Sequence, residues 1–316
     1  MRTEFINTLT RMAERDPRVT LMTGDLGFGV VQKFAERFPD QFLNVGVAEQ
    51  NMTGLAAGAA MSGRIVFTYS IANFPTLRPL EQIRNDVAYH GANVVVVAVG
   101  GGMAYGALGA SHHATEDLAV LRSLPGMTVI APGDPVETTA AVEACCAGVG
   151  PCYLRLGRAG EPLVHEQPID WRLGKAIVTR EGDDATLIST GGMLHTAMQV
   201  AQRLSAEQSI ELRVLSMHTL KPLDERAIAT AAADTGAVFT LEEHSVIGGL
   251  GGAAAETLAE NTDTPCVFKR FGLTSEFLRE VGDQQHLIAA AGLDEETVSG
   301  RIAAALATSP AARLAA

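Results

Sequence analysis

The chain has 316 residues, enough for two domains of ordinary size, and is 47% hydrophobic with 19% charged residues. A formal net charge of −12, with no Lys/Arg cluster, argues against a nucleic-acid partner, which needs a basic face. No apolar run reaches the roughly 18 residues of a bilayer span, so no membrane association is expected. Four cysteines in neither a CxxC pair nor a disulfide framework fit a reducing cytoplasm.

The opening MRTEFINTLTRMAERD reads as an amphipathic helix rather than a signal peptide, because it lacks an uninterrupted apolar segment. Val19 to Thr23 is a predicted strand, Val30 to Arg37 a helix ended near Pro39, and Phe42 to Val47 a strand. Gln50 to Met61 is a helix rich in small residues, and Arg64 to Tyr69 a strand. Pro79 to His90 is a helix with proline in its first turn. Asn93 to Val99, NVVVVAV, is apolar and β-branched throughout, as in a parallel strand covered on both faces. Glu116 to Ser123 is helical, Met127 to Ala131 a strand, Pro135 to Cys146 a helix and Cys152 to Leu156 a strand. This alternation predicts a doubly wound α/β domain.

Between Gly157 and Gly182 the pattern breaks into Gly, Pro and polar residues, with a lead-in strand near Lys175 to Arg180. A second alternation follows. Its strands are Ala185 to Ser189, Glu211 to Ser216, Ala237 to Leu241 and Cys266 to Phe271. Its helices are Met193 to Leu204, Asp224 to Ala233 and Gly249 to Glu260, with a closing helix over Glu295 to Leu306. The expected division is a first domain over 1–165, a linker over 166–184 and a second, smaller α/β domain over 185–316. There is no internal repeat, and no low-complexity segment beyond the Ala-rich end.

Short motifs add little. GxxxxGK[ST], GxSxG and HExxH are all absent. In GGLGGAAAE, Gly249, Gly251 and Ala254 imitate a dinucleotide loop. The preceding Glu242 to Ser245 do not read as the strand such a loop follows, so a glycine turn opening a closely packed helix is expected. His112 and His113 are adjacent and would not face one ligand together on a regular element. No metal ligand is assigned to this chain.

One carboxylate stands out. In NVGVAEQNM (residues 44–52), Glu49 lies between an apolar run and a run of small residues. A lone carboxylate is costly to bury without a partner. Glu49 either caps the following helix or meets a partner outside this chain.

Several stretches, in order, resemble the C-terminal half of transketolases: TGDLG (23–27), NVGVAEQNM, FTYSIANFPTLRPLEQIRNDV (67–87), GALGASHHATEDLAVLRSLPGMTVIAPGDPVE (106–137), MHTLKPLD and LEEHSVIGGLGG. The resemblance implies a thiamine diphosphate-binding fold, the pyrimidine-binding domain, followed by a transketolase C-terminal domain. It implies thiamine diphosphate, an electron sink for two-carbon transfer. A carboxyl group hydrogen-bonded to the pyrimidine N1′ stabilises the imino tautomer that takes up the C2 proton, and Glu49 matches it. Phe74 matches the phenylalanine that stacks on the aminopyrimidine. Ile71 and Leu77 stand where many transketolases have further aromatics. Asp25, with Leu26 beside it, matches a segment near the coenzyme and the subunit interface, although an N-cap would suit Asp25 too. His112 matches a histidine facing the donor sugar, where a neutral imidazole can hydrogen-bond or shuttle a proton. His113 is an outside candidate.

The family's GDG segment and downstream Asn, which hold the divalent metal and the diphosphate, have no counterpart in this sequence. The resemblance therefore implies the small subunit of a split transketolase. A large N-terminal subunit would carry Mg2+ and the diphosphate, in an α2β2 assembly or, at minimum, a homodimer of this chain awaiting its partner. The substrates would be a ketose donor and an aldehyde acceptor. The family's donor-contacting aspartate falls at Leu108, a phosphate-side histidine at Gly100 and a phosphate-contacting arginine at Ala131. Each such hydrogen bond to a charged group is worth roughly 1.5–3 kcal/mol. The rival readings are a 2-oxoacid dehydrogenase β subunit, a deoxyxylulose-phosphate synthase-like half, and a non-catalytic scaffold subunit.

Overall fold

The computed structural model describes residues 1–148, 150–261 and 265–308. The expected second domain thus ends on residues, 309–316, that lie outside the described ones. The strands in chain order are β1 (Val19–Thr23), β2 (Phe42–Asn44), β3 (Ile65–Ile71), β4 (Val94–Val99), β5 (Thr128–Ile130) and β6 (Cys152–Leu156). They continue with β7 (Ile177–Arg180), β8 (Ala185–Ser189), β9 (Leu212–Ser216), β10 (Thr219–Lys221), β11 (Ala237–Ser245) and β12 (Val267–Leu273). Two sheets result, with orders β10-β5-β6-β4-β3-β1-β2 and β12-β11-β8-β9-β7. Every neighbouring pair is parallel except β10 on β5 and β7 on β9. This is the expected pair of α/β domains.

The β-branched run in β4 explains the layering. All six residues are buried. Val94, Val96 and Ala98 enter one core while Val95, Val97 and Val99 enter another, as the two-residue period of a strand requires. The first of these cores continues through Ile188, Leu215 and Val238 of the second sheet, so it runs beneath both sheets. A third core lies on the other side of the second sheet and holds Leu187, Val214, Phe239 and Ile302.

Four local expectations change. The strand from Phe42 stops at Asn44, where the backbone turns towards Gly46 at φ +74°. The single helix expected over 79–90 is a short turn at Leu80–Gln82 followed by a π-helical segment, Ile83–Ala88, and a further helical turn, Phe74–Leu77, precedes it. A helix at Gln284–Ala290, capped by Asp283 through His286 N, was not legible in the periodicity. β10 comes from the second half of the chain yet extends the first sheet, with Ala131 N donating to His218 O at its start.

Glu242 to Ser245 do form strand, because β11 runs on to Ser245, opposite Leu273 of β12. The strand–glycine–helix order of a dinucleotide loop is therefore present. Its anion position is already filled: the Glu242 carboxylate accepts from Leu250 N (2.7 Å) and Gly251 N (2.7 Å) at the start of helix Leu250–Asn261. A pyrophosphate would meet a buried carboxylate there.

Candidate active site

The order of the first sheet fixes where a ligand belongs. From β1 the chain moves to β2 on one side and then to β3 on the other, so the connections diverge at the carboxyl ends of β1 and β3. Open α/β sheets take their ligands in the crevice at such a switch point. Asp25 and Leu26 follow β1, Glu49 follows β2, Ile71 ends β3 and Phe74 lies just beyond it.

Glu49 is the first residue of helix Glu49–Met61 and is only 3% exposed. The helix has no side-chain cap, and the Glu49 carboxylate makes no cap bond. Its Oε2 accepts from Arg78 Nη1 at 2.8 Å. Its Oε1 is buried without a hydrogen-bond partner among the described residues. A carbon added at Gly24 would lie 3.8 Å from this oxygen, 3.5 Å from Gly46 O and 3.9 Å from Ser70 Oγ, another buried atom without a partner among the described residues. Buried polar atoms of this kind are costly and uncommon. Here two of them lie within 4 Å of the same point beside Gly24, at the switch point.

The half-buried Phe74 ring carries the other wall. Arg78 Cζ lies 4.1 Å from its centroid, and the His112 ring meets it edge-on at 5.2 Å. The loop bearing His112 is tied to the Phe74 segment by Asn73 Nδ2, which donates to Ser111 O at 2.8 Å. His112 Nδ1 is 3.0 Å from Ser111 Oγ. His113 is buried, its Nε2 lacks a partner among the described residues, and burial pushes its pKa down.

Asp25 is exposed and in the left-handed region, φ +55°, and does not cap helix Gln32–Arg37, whose N-cap is Val31. Instead Asp25 N donates to Asn44 Oδ1 (3.0 Å) and Asn44 Nδ2 donates to Asp25 Oδ1 (3.0 Å). Asn44 Oδ1 also accepts from Gly46 N (3.0 Å), so the ends of β1 and β2 are clamped together just before Glu49. Leu26 and Ile71 are half-buried at the two strand ends. The structure thus brings Glu49, Phe74 and His112 into one connected group and puts Asp25 on the loop that positions Glu49.

Sequence reasoning missed Arg78 and Asn44. Arg78 had a signal: it follows Phe74 by four residues, the spacing that puts two helical side chains on one face. Asn44 ends a strand and had none beyond its place in NVGVAEQNM.

Behind the site, a buried ionic group joins the two sheets. Asp117 Oδ2 accepts from Arg155 Nε (2.8 Å) and Tyr153 Oη (2.5 Å). Arg155 Nη2 also donates to Ala114 O and to Glu243 O, each at 2.9 Å. Glu243 Oε1 accepts from Met103 N at 2.6 Å, and its pKa is raised by burial.

Comparison with known proteins now decides the family. The transketolase pyrimidine-binding domain family matches residues 1–160, and the transketolase C-terminal domain family matches residues 174–298. The chain belongs to the transketolase family. Membership implies thiamine diphosphate as the coenzyme. Among relatives, one subunit of the apulose-4-phosphate transketolase of Phocaeicola vulgatus is 40% identical over 94% of each chain. The 6-deoxy-6-sulfo-D-fructose transketolase subunit SqwH of a Clostridium species is 39% identical over 94% of this chain and 92% of that one. A solved split-gene transketolase, described as an inactive β4 tetramer, superposes with a TM-score of 0.86 at 38% identity, covering 96% of this chain and 97% of that chain. These relatives are each one subunit of a divided enzyme, which implies a companion subunit.

Proposed function

We propose that this chain supplies the pyrimidine half of a thiamine diphosphate site and that a partner chain supplies the diphosphate half with Mg2+, the two together transferring a two-carbon unit from a ketose to an aldehyde. The observation that carries this reading is Glu49: a carboxylate 3% exposed at a topological switch point, with one oxygen unpartnered among the described residues. The residues present fit an aminopyrimidine. They offer a buried carboxylate oxygen for a ring nitrogen and a half-buried phenyl face, with Arg78 touching both.

Bound thiamine diphosphate supplies the electron sink for cleaving and forming the carbon–carbon bond. Glu49 Oε1 would share a proton with the pyrimidine N1′, holding the ring in the tautomer that accepts a proton. Phe74 would stack on the ring and orient it, with Leu26 and Ile71 closing the apolar sides. His112, at the edge of Phe74, would hydrogen-bond the donor sugar and move a proton to or from its hydroxyl. Asp25 would act through Asn44, holding the loop that carries Glu49. The two relatives' names specify a ketose phosphate and a sulfoketose. Our reading for this chain is accordingly a ketose donor, its anionic end held by residues other than Gly100, Leu108 and Ala131. An α2β2 assembly, self-association of this chain as a dimer and a cytoplasmic location complete the reading. The last is supported by four free cysteines. The domain division at 1–165 and 185–316 is proposed on the same grounds.

The test is calorimetric titration of thiamine diphosphate with Mg2+ into this chain, into the candidate large subunit and into their mixture. Tight binding is expected in the mixture only. Tight binding by this chain alone would refute the split site, and no binding in any sample would favour a scaffold role.

A further inference from the structure

We infer that Arg78 is a latch on this half-site: in the free subunit its guanidinium covers the phenyl face that the aminopyrimidine needs and is anchored there by Glu49 Oε2, beside the Oε1 that the ring would bond, and coenzyme binding displaces it. The inference rests on the thiamine diphosphate reading above. Arg78 Nη1 donates to Glu49 Oε2 at 2.8 Å while Arg78 Cζ lies 4.1 Å from the Phe74 centroid. One flat, delocalised, N–H-bearing group therefore stacks on the phenyl face and bonds the carboxylate. Those are the two properties an aminopyrimidine brings, and a guanidinium brings them more readily than an ammonium.

The local chain places the two side chains together. Phe74 opens a helical turn that Arg78 ends with helical backbone angles, φ −63° and ψ −48°. Residues four apart in such a turn share a face. The mobility of the two partners is unequal. The Arg78 side chain is 46% exposed and can leave towards water, whereas the Glu49 side chain is 3% exposed and cannot follow. Departure of Arg78 without replacement would strip Glu49 of the one hydrogen bond its carboxylate makes among the described residues and leave a buried, unpaired charge. The latch therefore stays closed until a ring offers Glu49 an equivalent bond. The apparent affinity is then the intrinsic one multiplied by the fraction of molecules that are open, so the Kd rises by the inverse of that fraction.

The test uses the full chain mixed with its large subunit, titrated with thiamine diphosphate and Mg2+ by calorimetry. For Arg78→Ala the latch predicts a Kd about tenfold lower than wild type, as expected when a closed population of roughly nine in ten is abolished. Arg78→Lys should fall between the two. A Kd that is unchanged or higher in Arg78→Ala overturns the latch and makes Arg78 an aid to binding or a bystander. Failure of wild type and both variants to bind overturns the coenzyme reading itself, a distinct outcome. Should Arg78→Ala not fold, the wild-type mixture carries the test. The arginine side-chain 15N–1H signal that Arg78→Lys removes should move to the solvent-exposed position on adding coenzyme. A signal that binding coenzyme does not move overturns the latch.

Discussion

The Tyr105 ring fills the space that any side chain at Gly100 would need. A Cβ at Gly100 would lie 2.1 Å from Tyr105 Cε2, and Gly100 itself sits at φ +80°. The histidine that the resemblance aligns with this position could not simply be introduced. Gly100→Ala should lose roughly 1–3 kcal/mol from backbone strain, and more from the collision. The Tyr105→Ala background should relieve the collision alone. Chemical denaturation of the two single variants and the double variant separates the contributions. A double variant no more stable than Gly100→Ala would show that the ring is not the obstacle.

Glu49→Gln keeps the shape of the side chain and one oxygen that can accept from Arg78, but cannot hold a carboxylate's proton. If Glu49 shares that proton with the coenzyme ring, turnover of the assembled enzyme should drop by about 10²- to 10⁴-fold. The fold should persist, because Arg78 is 46% exposed and tolerates the lost charge. Steady-state assays beside thermal melts check both halves. Near-normal turnover would sink the catalytic role.

The interdomain ionic group should be the costliest place to lose a charge. Arg155 and Asp117 are 5% and 2% exposed, so removing either strands the other. Arg155→Met and Asp117→Asn should each cost about 3–5 kcal/mol. The double variant should cost less than their sum. Strict additivity in a denaturation cycle would mean that the pair is not coupled.

The alternation of strands and helices was legible because burial imposes it. A strand such as NVVVVAV, inside two cores at once, has no freedom to be polar. Glu49 was legible for the same reason, since a carboxylate amid small apolar residues needs a partner. What escaped was set by geometry rather than pattern. β10 is three residues long and is defined by its pairing with β5, not by any periodicity of its own. The segment after Phe74 reads as a helix from Pro79 on, but its hydrogen bonding changes register at Ile83. The Arg78–Glu49 pair joins residues 29 apart in the chain and depends on the switch point bringing β2 and β3 to either side of β1. Gly100 read as a missing contact, and only the fold reveals the ring occupying its place.

Glu242 gives the stability a pH dependence opposite to that of a usual carboxylate. Burial pushes its pKa from 4.5 up to about 7, against the opposing effect of N–H donors from Gly251 and Leu250. The folded chain therefore holds this proton where the unfolded chain has released it. The contribution is full below about 4.5 and is lost as pH rises towards 7, at about 1.4 kcal/mol per pH unit and roughly 3 kcal/mol across the window. Glu242→Gln cannot titrate, so the wild-type stability minus that of the variant should fall with pH between these limits and be flat outside them. Denaturant melts at half-unit pH steps measure the difference directly. A difference that rises with pH would mean that the two backbone donors outweigh burial and that Glu242 is ionised in the folded chain.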